Sequence, residues 1–316
     1  MGVVIQAREL VRIALYVLAS VWLLAGQTAS AQTNTLIVLY PAVPQPERDV
    51  FALIRSGIQT EAARAGLSVT GVEVAEGSSA SDYSDRLNAR STRAVIALGR
   101  RSYQVVSALR MDSAVITGAV DLPAGTAGNG VSLTPDPQVV LSTLRSVAPQ
   151  IQRVIVVIDQ GSDQWLLKPA AAAAHAVGLQ LQVYPASTVG EAAAHYLNVF
   201  RYGNPRTDAV WILRDGNFIT PDTFPRIIEE SWAKNFLVFS NVLAHVSKGA
   251  LFAYYPDPRP LGERLAKLAL SKEDGSHQIQ FLKDLKRAAN VRVAAHLGPA
   301  VNSAQLAAFD VVLGRE

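Results

Sequence analysis

The sequence predicts an α/β protein of two similar Rossmann-like lobes, each a parallel sheet with helices on both faces. Three observations carry this. Short apolar, β-branched runs alternate with amphipathic segments of helical period along most of the chain. Apart from 67–74, which alternates, the runs lack the polar alternation of a half-exposed strand, as expected for strands covered on both faces and joined by right-handed crossovers. The pattern stops at a loop, 121–130 (DLPAGTAGNG), and then restarts. The length of 316 residues agrees with two domains.

The first 31 residues read as a leader. Arg8 and Arg12 precede an apolar run at 13–26, too short for the roughly 20 residues a spanning helix needs, and Ala29-Ser30-Ala31 supplies the small-x-small pattern of a cleavage site. The expected mature chain begins at Gln32 and is periplasmic. An uncleaved membrane anchor is the alternative. No later stretch has 18 consecutive apolar residues.

Leu36 to Tyr40 forms the first expected strand, closed by Pro41. A helix follows over 48–66, with Val50, Phe51, Ile54, Ile58 and Ala62 on one face and Gly66 as its stop. Strands are expected at 67–74, 94–98 and 114–117, with helices at 81–91 and 103–110. Beyond the loop, 137–147 reads as helix and 153–159 (RVIVVID) as a buried strand ending in a carboxylate. Helices at 165–177, 189–202 and 221–234 then alternate with strands at 179–184, 209–213 and 236–239. In the last third, 250–255 reads as strand, 261–270 and 279–289 as helices, and 291–295 and 311–313 as strands.

Composition removes several function classes. No cysteine is present, which excludes disulfides, thiolate metal sites, cysteine nucleophiles and a lipid anchor on an N-terminal cysteine. A formal charge of +3 is too small to argue for nucleic acid. There is no G-x-S-x-G, no H-E-x-x-H and no phosphate loop of the G-x-x-x-x-G-K-[ST] type. The first strand runs into Tyr40-Pro41 instead of G-x-G-x-x-G, so no dinucleotide or other cofactor is expected. Of the five histidines, none has a second at a spacing of three or four, and no metal site is expected.

In open α/β sheets, ligands bind beyond the C-terminal strand ends. That rule selects Tyr40 and Pro41, Gly99 to Ser102, and Thr117-Gly118 in the first lobe. In the second it selects 159–162, Arg214-Asp215 and Ser240-Asn241. Gly99 to Ser102 lies where a strand becomes a helix, so free amides, the Ser102 hydroxyl and Arg100 or Arg101 suit an anion. Equally, Ser102 could cap the helix and the arginines be solvated. Asp159 and Asp215 could hold an ammonium group, or each could cap the next helix. Trp165, Phe218 and Tyr254 are candidate walls for an apolar ligand part, or core.

Several segments together resemble the ABC-transporter substrate-binding proteins of the type that includes aromatic-amino-acid binders. Ala94-Val95-Ile96-Ala97-Leu98-Gly99 is similar to that family's "IvalGt" strand and turn, and 113–120 (SAVITGAV) to its "iPivf" strand. Asn129-Gly130-Val131-Ser132 resembles "NvTGvs". Residues 249–255 with Asp257 and Gly262 resemble "Galas…d…lG", and Val301-Asn302 through Val312 the terminal "vN…A…Ad.vi". The resemblance spans about 32–314. It implies two lobes joined by three crossover strands, the type I periplasmic-binding architecture, with lobe 1 at 32–132 plus 249–289 and lobe 2 at 133–248 plus 290–316.

It also implies a non-enzymatic monomer that captures a small amino-acid-like ligand and delivers it to an ABC permease. Carried over by position, the ligand site comprises Tyr40, Ser102, Thr117, Asp159, Asp215 and Asn241. The chain departs from the family at Arg100-Arg101, where small or hydroxyl residues are usual, at Asp121-Leu122-Pro123, and in a longer 272–289 connector. A non-transport sensor on the same fold and a secreted two-lobed α/β enzyme are the alternative readings.

Overall fold

A computed structural model describes residues 35–162, 164–213, 217–271 and 278–314. The expected leader lies outside them. Two sheets organise the chain. The first has six strands, all parallel. Its chain-order strands are β1 (Thr35–Pro41), β2 (Ser68–Val74), β3 (Thr92–Leu98), β4 (Ala114–Val120), β5 (Gly130–Pro135) and β11 (Ile279–Leu282), in the spatial order β11-β5-β4-β3-β1-β2. The second has seven: β6 (Arg153–Asp159), β7 (Gln180–Ala186), β8 (Asp208–Ile212), β9 (Leu237–Ser240), β10 (Phe252–Pro256), β12 (Leu285–Asn290) and β13 (Val311–Leu313), ordered β13-β12-β10-β9-β8-β6-β7. Only the β10–β12 pairing is antiparallel.

The continuous apolar runs are explained by cover on both faces. Along β3, Ala94, Ile96 and Leu98 pack beneath α1 (Glu47–Arg64) and α9 (Pro258–Leu270), while Val95 and Ala97 face Val105 and Val106 of α3 (Gly99–Ser107). Between β2 and β3 the expected helix is shorter, a 3₁₀ turn and then α2 (Ser84–Leu87). Along β6, Val154, Val156 and Ile158 meet α4 (Pro137–Val147) and α5 (Gln164–Ala176), whereas Ile155 and Val157 meet α6 (Val189–Tyr202) and α7 (Thr223–Ala233). One helix, α8 (Leu243–Ser247), buries Val246 against Ala253 and Ala288.

The lobes are discontinuous in sequence, and the chain crosses between them three times. It passes from β5 into α4 at Asp136, from β10 into α9 at Asp257, and from β11 into β12 at Lys283-Asp284. These crossings are tied to one another. The Asp136 N–H donates to Leu282 O (3.0 Å) and the Asp257 N–H to Asp284 O (2.9 Å). Lys283 pairs with Asp136 and Lys286 with Asp257, each at 3.7 Å, and Arg264 of α9 pairs with Asp284.

Several expectations are corrected here. The loop at 121–130 does not end the first lobe: a fifth strand, Gly130–Pro135, still belongs to the first sheet. Residues 250–255, expected with lobe 1, contribute β10 to the second sheet, so the return to lobe 1 begins with α9. The segment 279–289 is not a helix but β11 and β12, one in each sheet, and 291–295 is helical within α10 (Val291–Leu297). In 279–289 polar and apolar residues alternate closely enough to satisfy a helical period, yet the run has to span two lobes. A short helix, α11 (Ser303–Ala307), precedes β13.

α9 docks on α1 through two glycines. A Cβ on Gly57 would lie 2.1 Å from Arg259 O, and one on Gly262 would lie 2.0 Å from Ile54 O. Backbone therefore meets backbone, with Ile54, Ile58, Leu261 and Leu265 buried around the contact.

Candidate functional site

Strand direction fixes where a ligand can sit. β5 and β11 leave the first sheet from its C-terminal edge, and β10 leaves the second from its own C-terminal edge. The C-terminal ends of both sheets therefore face the crossings and each other. This is the end at which α/β sheets bind ligands.

In the first lobe, β3 turns into α3 at Gly99. This residue has φ +79°, and a Cβ there would lie 3.2 Å from the Phe51 ring. Both the conformation and the space favour glycine. The N-cap position, Leu98, supplies no side-chain bond to the first amides of α3. Ser102 is fully buried one turn in, and its Oγ has no hydrogen-bond partner among the described residues. It does not cap the helix. The Arg101 guanidinium reaches across the end of β1 to donate to Ala42 O (3.4 Å) and pairs with Glu76 beyond β2 at 3.5 Å. Arg100 is exposed.

Tyr40 and Thr117 are placed differently from what their sequence positions suggest. The Tyr40 ring lies under Arg55 of α1, with the guanidinium carbon 4.1 Å from its centroid. Its side chain is therefore taken up by the helix layer. Thr117 is buried within β4, paired with Ala97 and Gly130, because the strand continues to Val120. The carboxylate at that strand end is Asp121, whose Oδ1 accepts from Thr134 Oγ1 at 2.6 Å. β4 is bulged just before it, with Ala119 at φ 53°.

In the second lobe, Asp159 closes β6. Its Oδ1 accepts the Gly161 N–H (2.7 Å) and its Oδ2 the Asn217 side-chain amide (2.6 Å). The backbone bond first, and Asn217 second, hold its carboxyl below the usual range. Asn241 is buried at the end of β9, where its Oδ1 accepts from Trp211 Nε1 at 3.1 Å. Beside it, Ser240 Oγ lies 2.8 Å from His245 Nδ1, and the His245 ring stacks on Phe224 at 3.9 Å. Asp215, with Arg214, lies outside the described residues.

The three candidate aromatic walls separate. Phe218 and Tyr254 are core, and the Tyr254 hydroxyl, bonded to Thr143, is pushed up in pKa chiefly by burial. Trp165 instead stacks on Phe281 of β11 with centroids 5.7 Å apart, a second-lobe ring against a first-sheet strand.

The structure thus gathers Ser102 in one lobe and Asp159 and Asn241 in the other at facing strand ends. Sequence reading missed Glu76, Asp121 and Asn217 there. Glu76 and Asp121 each follow a strand end by one or two residues, a signal that the strand boundaries would have given. Cavities of about 790 Å³ and 690 Å³ lie elsewhere in lobe 2, the larger at the opposite, N-terminal strand ends around Gln152, Thr207 and Leu237. Among the described residues no group of three His, Asp or Glu could hold a metal ion.

No family model matches the sequence, and no curated protein does. Solved structures do match. A ligand-free, open substrate-binding protein with adhesive properties from Clostridium difficile is 15% identical, with a TM-score of 0.64, covering 90% of this chain and 100% of its own. An ABC domain in complex with L-Trp from Streptococcus pneumoniae is 19% identical, with a TM-score of 0.55 and coverages of 88% and 99%. A conserved domain protein from Vibrio cholerae is 15% identical, with a TM-score of 0.54 and coverages of 89% and 100%. At such identities the likeness is one of fold.

Proposed function

We propose that this chain, which has the type I periplasmic-binding fold, captures a small amino-acid-like solute between its lobes and presents it to an ABC permease. The observation that carries the reading is the mutual facing of the two C-terminal sheet edges across three short crossings. A solute touching both edges stabilises the approach of the lobes only by the contacts it makes with each, so closure and capture are one equilibrium. The first lobe offers donors, the uncapped amides of α3 and the Ser102 hydroxyl. The second offers the ionised Asp159 and the amide of Asn217. The chain works as a monomer, without a cofactor or a chemical step. The leader carries it to the periplasm. The likeness to a substrate-binding protein and to an L-Trp complex supports the reading.

A thermal-shift screen of the chain from Gln32 onward against amino acids, sugars and nucleobases tests it. A solute present at 1,000 times its Kd contributes about 4 kcal/mol to stability. Amino-acid-like compounds are expected to raise Tm by several degrees. A screen in which no small solute moves Tm refutes the proposal.

A further inference from the structure

We infer that the first-lobe end of the cleft is built for an anion, whose charged group takes the place that the Glu76 carboxylate holds beside Arg101, so that the solute carries net negative charge. This rests on the solute-binding reading above and names the charge class of the solute.

Arg101 is the third residue of α3, and its guanidinium bridges three adjacent strand ends: its own β3, then β1 through Ala42 O, then β2 through Glu76. Both contacts are long. At 3.4 and 3.5 Å they fall beyond the 2.7–3.2 Å of well-made N–H···O bonds. The Glu76 side chain is 91% exposed and that of Arg101 only 32%. The acid therefore stands in water at the mouth while the cation is mostly covered. A guanidinium has five N–H donors in a planar fork that matches an oxyanion. These two loose contacts leave that capacity largely unspent.

A second observation is independent of the arginine. Ser102 is 0% exposed, and its hydroxyl has no partner among the described residues. Buried hydroxyls are nearly always hydrogen-bonded, so an orphan needs a reason. The Cα–Cβ bonds of a helix tilt toward its N-terminus, so the Ser102 side chain stems toward the first turn, where the amides lack a side-chain cap. Guanidinium, hydroxyl and uncapped amides are all donors, and an anion at a helix start satisfies such groups together.

Across the cleft the balance does not reverse. Each Asp159 oxygen already accepts a bond at 2.6–2.7 Å, from Gly161 or Asn217. Its charge is therefore partly spent within its own lobe. In the first lobe Asp121 Oδ1 is likewise engaged, by Ser132 and Thr134, while Arg101, the Ser102 hydroxyl and the uncapped α3 amides supply donors enough for two anionic groups. A dicarboxylic amino acid or a phosphate ester fits this balance better than a neutral zwitterion.

The test compares L-glutamate, O-phospho-L-serine and L-tryptophan as probes at equal concentration and ionic strength. Binding is read by thermal shift and by titration calorimetry on the chain from Gln32 onward, alongside Arg101→Gln and Glu76→Gln. An anionic probe is expected to bind more tightly than tryptophan. Arg101→Gln should weaken that probe about 10- to 150-fold, the range for a lost charge-assisted bond. Glu76→Gln should tighten it, because the internal competitor is gone. Glu76→Gln alters a solvated side chain, so it keeps the test decisive even where Arg101→Gln fails to fold. If tryptophan binds the wild type and both variants equally while the anions do not bind, the anion assignment falls and the solute reading stands. If an anion binds but Glu76→Gln leaves its affinity unchanged or lower, the exchange with Glu76 is wrong. If no probe binds, the anion assignment falls, and the solute reading is decided by the broader thermal-shift screen.

Discussion

Replacing Gly262 with alanine tests the lobe assignment of α9. In an exposed helix interior this change stabilises by about 1 kcal/mol, because glycine loses more backbone entropy on folding. At Gly262 the added Cβ lands 2.0 Å from Ile54 O and 2.9 Å from the carbonyl carbon of the same residue. Ordinary contact begins near 3.4 Å, so α9 has to retreat from α1 by about 1.4 Å. A gap of about 1 Å already forfeits up to half of a van der Waals contact. It would open among Ile54, Ile58, Leu261 and Leu265, none more than 2% exposed. Overpacking of this kind costs about 3 kcal/mol. After the propensity gain, a net loss of about 2 kcal/mol remains, or a Tm lower by about 4–8 °C. Differential scanning calorimetry of the unliganded chain measures it. Gly190→Ala is the control, since nothing but Thr188 Oγ1 at 3.9 Å lies near a Cβ there, and its Tm should hold or rise. A Tm for Gly262→Ala that rises with the control's would refute the backbone-to-backbone packing of α9 on α1.

Two further outcomes are expected. Asn241→Leu strands the Trp211 indole N–H, which is fully buried, and should lower the urea midpoint by the equivalent of about 1–3 kcal/mol; an unchanged midpoint would show that the bond is dispensable. N-terminal sequencing of the exported protein should begin at Gln32, and retention of Met1 to Ala31 would point to an anchor.

The sequence made the fold legible where burial is two-sided. β1, β3, β6 and β8 are short runs of apolar residues because each packs against helices on both faces, and no other local structure explains such a run between two helical patterns. Legibility failed where tertiary context overrides local pattern. Leu285–Asn290 (LKRAAN) is rich in helix formers, yet it pairs antiparallel with β10. Gly130–Pro135 escapes the apolar-run pattern because glycine and proline bound it and polar Ser132 and Thr134 interrupt it, so the loop expected over 121–130 ends on its first residue. Strand-end logic placed Ser102, Asp159 and Asn241 just beyond or at the ends of β3, β6 and β9, where the structure has them, since that rule depends only on where an apolar run stops. It overreached at Tyr40, whose phenyl ring belongs to the layer under α1, and at Thr117, because β4 runs three residues further. The reach of Arg101 to Glu76 depends on β2, β1 and β3 lying side by side, and strand order is not written in any one segment.

The interleaving of the two lobes along the chain sets an order on how the molecule can be completed. Lobe 2 gains its central strands, β6 to β10, from one uninterrupted stretch. Lobe 1 begins earlier but waits for α9 and β11, which are separated from β5 by the whole of that stretch. Until residues 258–282 are available, the α1 face bearing Ile54 and Ile58 lacks its covering helix. Closing so long a loop costs entropy before its contacts repay it. Lobe 1, begun first, therefore waits until most of lobe 2 has been synthesised, with an uncovered hydrophobic face in the interim.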